Sequence, residues 1–194
     1  MGAIDVILIA AGRSSRLGQP KALVDVHGQS LIQRLVSRLL RLKNVEVTIV
    51  TNTDLLADIV LQCPSAQVVL NPDPEKGRTG SIQCGLASIL ERNGRLPKKV
   101  LIAPVDRPGW SIELVQDLLK SDISACPVWN QRGGHPLVLV GEDINTVYVA
   151  ERDAPLSSLV RREPLLVEFK WLHLNIDTEP DLTALLAASE EDWF

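Results

Sequence analysis

Three cations, Arg13, Arg16 and Lys21, fall within one stretch rich in small residues, Ala10-Ala11-Gly12-Arg13-Ser14-Ser15-Arg16-Leu17-Gly18-Gln19-Pro20-Lys21. Side chains of these types grip polyphosphates. A guanidinium presents a fork of donors that matches phosphate oxygens, and a lysine ammonium acts as a compact point charge. Gly12 lets the backbone lie close against a ligand, so the stretch reads as a triphosphate cradle. A second chemical group is Asp106, in Val105-Asp106-Arg107-Pro108. A carboxylate there can hold Mg2+, which takes one or two carboxylates and fills its octahedron with water and phosphate oxygens. Taken alone, the arginines also fit a solvated loop and Asp106 a turn residue.

These residues must be positioned by the elements before them. Val6-Ile7-Leu8-Ile9 is a short apolar run that suits a buried strand, and the cationic loop follows it directly. Further strands are expected at Asp5–Ala10, Val45–Thr51, Gln67–Leu70, Lys99–Pro104, Ile123–Pro127 and Leu137–Val140, with a β-rich stretch over Leu165–Ile176. Helices are expected over Ser30–Lys43, Asp54–Gln62, Ser81–Arg92, Ser111–Lys120, Pro155–Arg162 and Glu179–Ser189. The first of these carries Leu31, Ile32, Leu35, Val36, Leu39 and Leu40 on one stripe, with Ser30 and Gln33 placed as a capping box. Alternation of the two element types predicts an α/β fold, a Rossmann-like three-layer sandwich with a mostly parallel central sheet. In such sheets ligands collect beyond the carboxyl ends of the strands, and both the cationic loop and Asp106 follow predicted strands.

A length of 194 residues suits one domain over 1–194 with a short acidic tail at 190–194. Hydrophobic residues at 45% and charged residues at 23% are ordinary for a globular chain. The formal net charge of −4 argues against a sequence-independent nucleic-acid partner, which needs a basic surface, and favours a local basic pocket for a small anion. No apolar run approaches the ~20 residues of a membrane span, and Val6–Ala11 is too short for a secretory signal, so no membrane partner and a cytoplasmic location are expected. Cys63, Cys84 and Cys126 are odd in number and lack Cys-x-x-Cys spacing, which predicts free thiols used in packing.

The loop excludes two familiar phosphate motifs. Five residues separate Gly12 from Gly18 and Ala22 follows Lys21, so it is not a Walker loop, and the dinucleotide Gly-x-Gly-x-x-Gly spacing is absent. What it resembles is the signature Leu-Ala-Ala/Gly-Gly-x-x-x-Arg-Met/Leu-Gly-x-Pro-Lys of the molybdenum-cofactor nucleotidyltransferase family, departing only at Ile9. The resemblance implies a sheet of the nucleotide-diphospho-sugar transferase type and Mg2+-dependent transfer of a nucleoside monophosphate, with pyrophosphate leaving. Lys21, Arg16 and Asp106 would be catalytic. Lys21 would serve the α-phosphate, and Arg13 and Arg16 the β- and γ-phosphates. Asp106-Arg107-Pro108 resembles the family's metal-binding Asp-x-Pro, and Asp177 matches a second metal ligand in the family's late Asp-x-Asp-Thr-Pro-Glu-Asp-Leu segment, where Asn175 replaces an aspartate. From the residues alone, Asp177 could equally cap the helix that follows.

The resemblance also places a nucleotide base between Ala10-Ala11-Gly12 and the segment Asn71 to Ser81, with Asn71, Gly80 and Ser81 as contacts. Read alone, that segment is a turn opening a helix at Ser81, whose backbone donors need partners. Ala10-Ala11-Gly12 resembles the cytidylyltransferase version of the motif, so CTP is the expected nucleotide. Gly134, His135 and Pro136 resemble the family's Gly-His-Pro, which lines the acceptor pocket. The acceptor would be a phosphorylated small molecule such as molybdopterin, with transient contact to a molybdoenzyme or its chaperone. Where the family has Gly-Asp-x-Gly-Ala-Arg, this chain has Glu151-Arg152-Asp153-Ala154-Pro155-Leu156, and that departure leaves open a sugar or polyol phosphate as acceptor, or a nucleotide-binding regulatory module without turnover. His27, His173, Trp110, Trp129 and Trp171 are expected at the surface or in packing.

Overall fold

The computed structural model describes residues 3–14 and 16–194; Ser15 of the cationic stretch lies outside them. The first apolar run forms strand β1 (Ile4–Ala10), buried from Asp5 onward. Its side chains divide between two cores, Val6, Leu8 and Ala10 on one face and Ile7 and Ile9 on the other. A strand buried on both faces must lie inside a sheet that is covered on both sides.

A one-turn 3-10 segment (Lys21–Leu23) and the small hairpin of β2 (Asp25–Val26) and β3 (Gln29–Ser30) lead into α1 (Leu31–Leu39). The capping box forms as expected, with Ser30 Oγ accepting from the Gln33 N–H at 3.4 Å and Gln33 Oε1 accepting from the Ser30 N–H at 2.9 Å. The chain continues through β4 (Val45–Thr51), α2 (Leu56–Gln62), β5 (Gln67–Leu70), α3 (Arg78–Asn93), β6 (Lys99–Pro104) and α4 (Ile112–Leu119). It ends with β7 (Ala125–Trp129), β8 (Arg132–Gly133), β9 (Leu137–Val140), α5 (Glu142–Val149), α6 (Leu156–Leu159), β10 (Glu163–Leu166) and α7 (Glu179–Ser189).

The main sheet runs β10-β7-β9-β6-β1-β4-β5, with β8 added onto β7. β1 pairs in parallel with both β4 and β6, β4 with β5, and β10 with β7; β9 is antiparallel to β6 and β7. Leucines and isoleucines of α1, α2, α4 and α7 cover one face, and those of α3, α5 and α6 cover the other. Burying each large aliphatic side chain contributes about 1.5–3 kcal/mol, so the two cores hold β1 in place and fix where its last residue delivers the cationic loop. α3 presses close to β1 at Gly85, where an added Cβ would lie 2.8 Å from Ile7 Cδ1. No described helix is long and apolar enough to cross a membrane.

Several elements differ from expectation. The β-rich stretch at 165–176 is a strand only through Leu166; beyond it Phe169, Trp171, Leu172, Leu174 and Ile176 reach the core from turns rather than a ladder. α3 starts at Arg78, not Ser81, and α1 ends at Leu39, not Lys43, after which Asn44 at φ 57° turns the chain into β4. The strand expected at 123–127 is displaced to Ala125–Trp129, and the helix at 155–162 is a single turn, Leu156–Leu159. Helix α5 has no counterpart among the expected elements. Cys63, Cys84 and Cys126 are all unpaired, the first buried and the other two half-buried.

Candidate functional site

The carboxyl ends of β1, β4 and β6 are tied into one rim. The Ile9 carbonyl accepts from the Val105 N–H at 2.9 Å, Asn52 Nδ2 donates to the Ala11 carbonyl at 3.0 Å, and the Asn71 N–H reaches the Thr51 carbonyl at 2.7 Å. These bonds hold the first residues after each strand in fixed relation. Within the loop, Ser14 Oγ accepts from the Lys21 backbone N–H at 3.0 Å and so closes the turn that carries the lysine. The result is a cleft of about 230 Å³ whose lining includes Ala10, Ala11, Gly12, Lys21, Gly77, Arg78, Ser81 and Asp106.

Lys21 is the centre of its charge arrangement. Its Nζ pairs with Asp177 Oδ1 and lies 3.9 Å from Asp106 Oδ2. The two carboxylates come from loops 71 positions apart, and one backbone bond joins them: the Ile176 N–H donates to the Asp106 carbonyl at 2.9 Å. The Asp106 loop is further pressed onto the 171–177 segment at Gly109, where a Cβ would fall 1.8 Å from the Trp171 carbonyl oxygen. Only glycine permits that approach.

Asp177 also accepts from Asn175 Nδ2 at 2.8 Å and faces Arg16 Nη2 at 3.2 Å. Hydrogen bonds from Lys21 and then Asn175 hold its carboxyl well below the usual range, at about 2. It does not cap α7. Asp181 does that work, accepting from the Thr178 N–H at 2.7 Å and from the Asp177 N–H at 2.9 Å. Both carboxylates thus converge on a single cation, Lys21, and stand close enough to it that they could hold a small divalent ion completed by water and phosphate oxygens. A groove lined by this pair and by a loop of small residues can gather phosphate oxygens and a metal at one point.

Other expected residues fall into different surroundings. Arg13 and Arg16 stand exposed at the rim, paired to Glu75 at 3.4 Å and to Asp177. Asn71 is fully buried and shapes the rim rather than lining the cleft: its Nδ2 donates to Ser81 Oγ at 3.0 Å and its Oδ1 accepts from the Asp73 N–H at 3.0 Å. Because α3 begins at Arg78, Ser81 and Gly80 lie within its first turn, not at an open helix start. The Gly80 N–H is already bonded to the Arg152 carbonyl at 2.9 Å.

Gly134 packs against Leu172, and Pro136 follows His135 through a cis peptide and is buried. His135 Nε2 lies 3.2 Å from Arg78 Nη1, which brings the Gly-His-Pro segment to the mouth of the cleft. Burial, and then the charges of Arg78, Arg107 and Arg162, push the His135 pKa down to about 3. Trp110 is fully buried, Trp129 stacks on His173 at 5.9 Å, and His27 bonds Ser189 Oγ at 2.8 Å, so each serves packing or the surface.

Two groups of residues escape the sequence reading. One is the arginine set around His135, which comes from three separate segments. The other is Arg38, buried under Trp110 with its guanidinium 3.8 Å from the ring centroid. Nη1 and Nη2 donate to the carbonyls of Trp110 at 2.9 Å and Pro108 at 3.0 Å, in the same loop as Asp106. Its signal is legible: an arginine three residues after Leu35, on the buried stripe of an amphipathic helix, needs an internal partner.

Comparison with known proteins identifies the family to which this sequence and fold belong. The sequence profile of the MobA-like NTP transferase domain matches residues 6–166, from β1 to the end of β10. The chain belongs to that family. A molybdenum cofactor guanylyltransferase of Xanthomonas euvesicatoria pv. vesicatoria (strain 85-10) is 30% identical over 120 residues, 62% of this chain and 56% of the relative. The chain spans about half the length of the curated relatives it matches. Among solved structures, a nucleotidyl transferase from Methanothermobacter thermautotroptrophicus superposes with a TM-score of 0.77 at 17% identity, covering 98% of this chain and 99% of the other. Rv0371c of Mycobacterium tuberculosis H37Rv in complex with manganese gives 0.73 at 17% identity, covering 95% and 98%. The fold shared with these structures therefore extends over almost the whole chain, beyond the residues of the profile match.

Proposed function

We propose that this chain is a divalent-metal-dependent nucleotidyltransferase that moves a nucleoside monophosphate from a triphosphate onto a phosphorylated acceptor, with molybdopterin the leading acceptor. The observation that carries the reading is the convergence of Asp106 and Asp177 on Lys21 beside a small-residue loop at the carboxyl edge of the sheet. In the reaction an acceptor phosphate oxygen forms a new bond to the α-phosphorus, and the bond from that phosphorus to the bridging oxygen breaks to release pyrophosphate. The nucleophile is already an anion, so no general base is required. Alignment and charge neutralisation carry the catalysis.

Asp106 and Asp177 would hold Mg2+, which supplies neutralisation of phosphate charge on both sides of the displacement. The manganese complex of the structural relative supports a divalent ion in this fold. Lys21 serves the α-phosphate oxygens as charge builds there. Arg13 and Arg16 serve the β- and γ-phosphates; their present partners are surface ion pairs worth only about 0–1 kcal/mol, readily exchanged for a triphosphate. The buried Asn71–Ser81 contact keeps the far wall of the cleft in place.

CTP is the proposed nucleotide. Ala11 is buried at the foot of the loop, and its methyl occupies space that the glycine versions of the motif leave to a larger base. GTP is the second reading, favoured by the name of the Xanthomonas relative. Pyrophosphate release from CTP, GTP, ATP and UTP, each with Mg2+ and with molybdopterin or a sugar 1-phosphate, tests both. Release from CTP with molybdopterin, lost in Asp106→Ala, establishes the reading. Release from GTP replaces the nucleotide, release with a sugar phosphate replaces the acceptor, and nucleotide binding without any release refutes the enzyme.

A further inference from the structure

At the edge of the nucleotide cleft, three arginines from distant parts of the chain gather around one histidine. Arg78 begins α3, Arg107 follows Asp106, and Arg162 precedes β10. All three act electrostatically on His135, and Arg78 touches its ring. Among the described residues none of the three forms an ion pair, although the other cations at the cleft, Arg13, Arg16 and Lys21, all do. The carboxylate whose field reaches Arg78 is Asp106, and it already answers Lys21. Like charges gathered without a counter-charge oppose folding, so an unneutralised cluster of this kind is expected where an anion binds.

Geometry separates this cluster from the triphosphate loop. Arg78 lines the cleft beside β1, whereas Arg107 and Arg162 do not. Arg78 therefore stands at the junction, and the other two lie outside the cleft lining but near enough to His135 and Arg78 for their charges to act on both. His135 adds a hydrogen-bonding group with no charge of its own. An arginine can only donate, so Nε2 accepts from Arg78 and the ring proton sits on Nδ1, which is buried without a partner.

Resting on the nucleotidyl-transfer reading, we propose that Arg78, Arg107 and Arg162 around His135 form the seat for the acceptor's phosphate, a phosphomonoester dianion. Such a group carries about −1.5 to −2 charges at neutral pH and several acceptor oxygens, enough to engage more than one guanidinium fork. A neutral acceptor, or one linked through a singly charged diester, leaves the cluster poorly compensated. This assigns selection of the acceptor to the charge state of its phosphate, with Arg78 bridging the acceptor to the nucleotide.

The test reads His135 directly. With only three histidines in the chain, its ring signals are assigned by NMR against His135→Gln. Inorganic phosphate, and methyl phosphate as a monoester, are titrated into the wild type and into the Arg107→Gln/Arg162→Gln double variant. Saturable shifts of the His135 signals are expected, with binding weakened by about tenfold or more in the variant, which lacks two of the three charged donors. Should the double variant fail to fold, Arg162→Gln alone carries the comparison. Absent shifts, or shifts of unchanged midpoint in the variant, overturn the seat.

Turnover separates this proposal from the one beneath it. The seat requires the acceptor KM to rise about tenfold or more in the variant while the nucleotide KM stays nearly constant. An unchanged acceptor KM refutes the seat and leaves the activity standing. Phosphate-dependent shifts that the variant weakens, in a protein that turns over no nucleotide, retain the anion site and refute the nucleotidyl-transfer reading.

Discussion

Replacing Arg38 with methionine probes how the Asp106 loop is held. The side chain is 2% exposed and has no carboxylate partner among the described residues; instead its guanidinium donates to the Pro108 and Trp110 carbonyls and lies over aromatic rings. Trp110 is 3.8 Å from it, Phe194 4.7 Å and Trp193 5.5 Å. Burial lowers its pKa to about 9, which still leaves it charged at neutral pH. Methionine preserves much of the volume and removes every donor. Two hydrogen bonds from a charged donor contribute about 1.5–3 kcal/mol each, and a desolvated cation–π contact about 2 kcal/mol. Against that stands the cost of burying a charge, several kcal/mol, which the methionine variant no longer bears.

The loss exceeds the relief because the carbonyls remain. Pro108 keeps the Trp110 N–H at 2.9 Å, but the Trp110 carbonyl loses its arginine donor in a closed interior. The expected net destabilisation of Arg38→Met is about 3 kcal/mol, measured as a shift in the urea midpoint at constant slope. Arg38→Lys should lose nearly as much, because one ammonium does not reproduce two planar donors stacked on a ring. Since the freed Trp110 carbonyl lies in the loop that follows Asp106, the Mg2+ concentration needed for half-maximal pyrophosphate release should also rise on the proposed reading. A methionine variant within about 0.5 kcal/mol of the wild type, or more stable than it, refutes the argument: the buried charge would then cost as much as its contacts return.

Other perturbations test other joints of the site. Gly109→Ala drives a Cβ to 1.8 Å from the Trp171 carbonyl and should cost at least about 2 kcal/mol in chemical denaturation while separating the Asp106 and Asp177 loops. Lys21→Ala should lower pyrophosphate release by about 10²–10³ with circular dichroism unchanged, and a loss under tenfold removes its assigned role. His135 has a folded pKa of about 3 against the ordinary histidine value of 6.5, so below pH 6.5 the unfolded chain takes up a proton that the folded chain refuses. Wild-type stability relative to His135→Gln should accordingly fall by about 1.4 kcal/mol per pH unit as the pH drops from 6.5 toward 3, and a flat difference refutes the buried neutral ring.

The parts of the fold that are legible in the sequence are those whose pattern is local. β4, β5 and β6 form over the very residues their apolar runs mark, and α7 spans Glu179–Ser189 as its acidic first turn predicts. Local patterns fail where burial comes without repeat structure. Leu165, Val167, Phe169 and Trp171 alternate like a strand, yet past Leu166 the chain is held by turns such as the Leu172 N–H to Phe169 carbonyl bond at 3.0 Å. Helix α5 hides for the opposite reason: only Ile144 and Val147 of its eight residues are buried, and Val149 is 80% exposed, so no apolar stripe announces it. At α3, Gly77 and Gly80 read as turn punctuation, but Gly80 is helical because its N–H and its empty side-chain position are both taken up by Arg152.

The candidate site divides along the same line. Residue type and motif pick out Lys21, Asp106 and Asp177 singly, and the fold supplies what no local pattern contains: Lys21 and Asp177, 156 positions apart, are partners before any ligand is considered. On the proposed reading, that pairing gives each residue two competing duties. Whatever draws Asp177 toward a metal must release Lys21, and a released lysine is available to phosphate. Nucleotide and metal should therefore favour each other's binding through this one contact, without any movement of the strands that carry it. The arginines around His135 show the limit from the other side. Each looks like an ordinary surface cation in sequence, and only their meeting from three segments, with no ion pair to any of them among the described residues, marks them as a group.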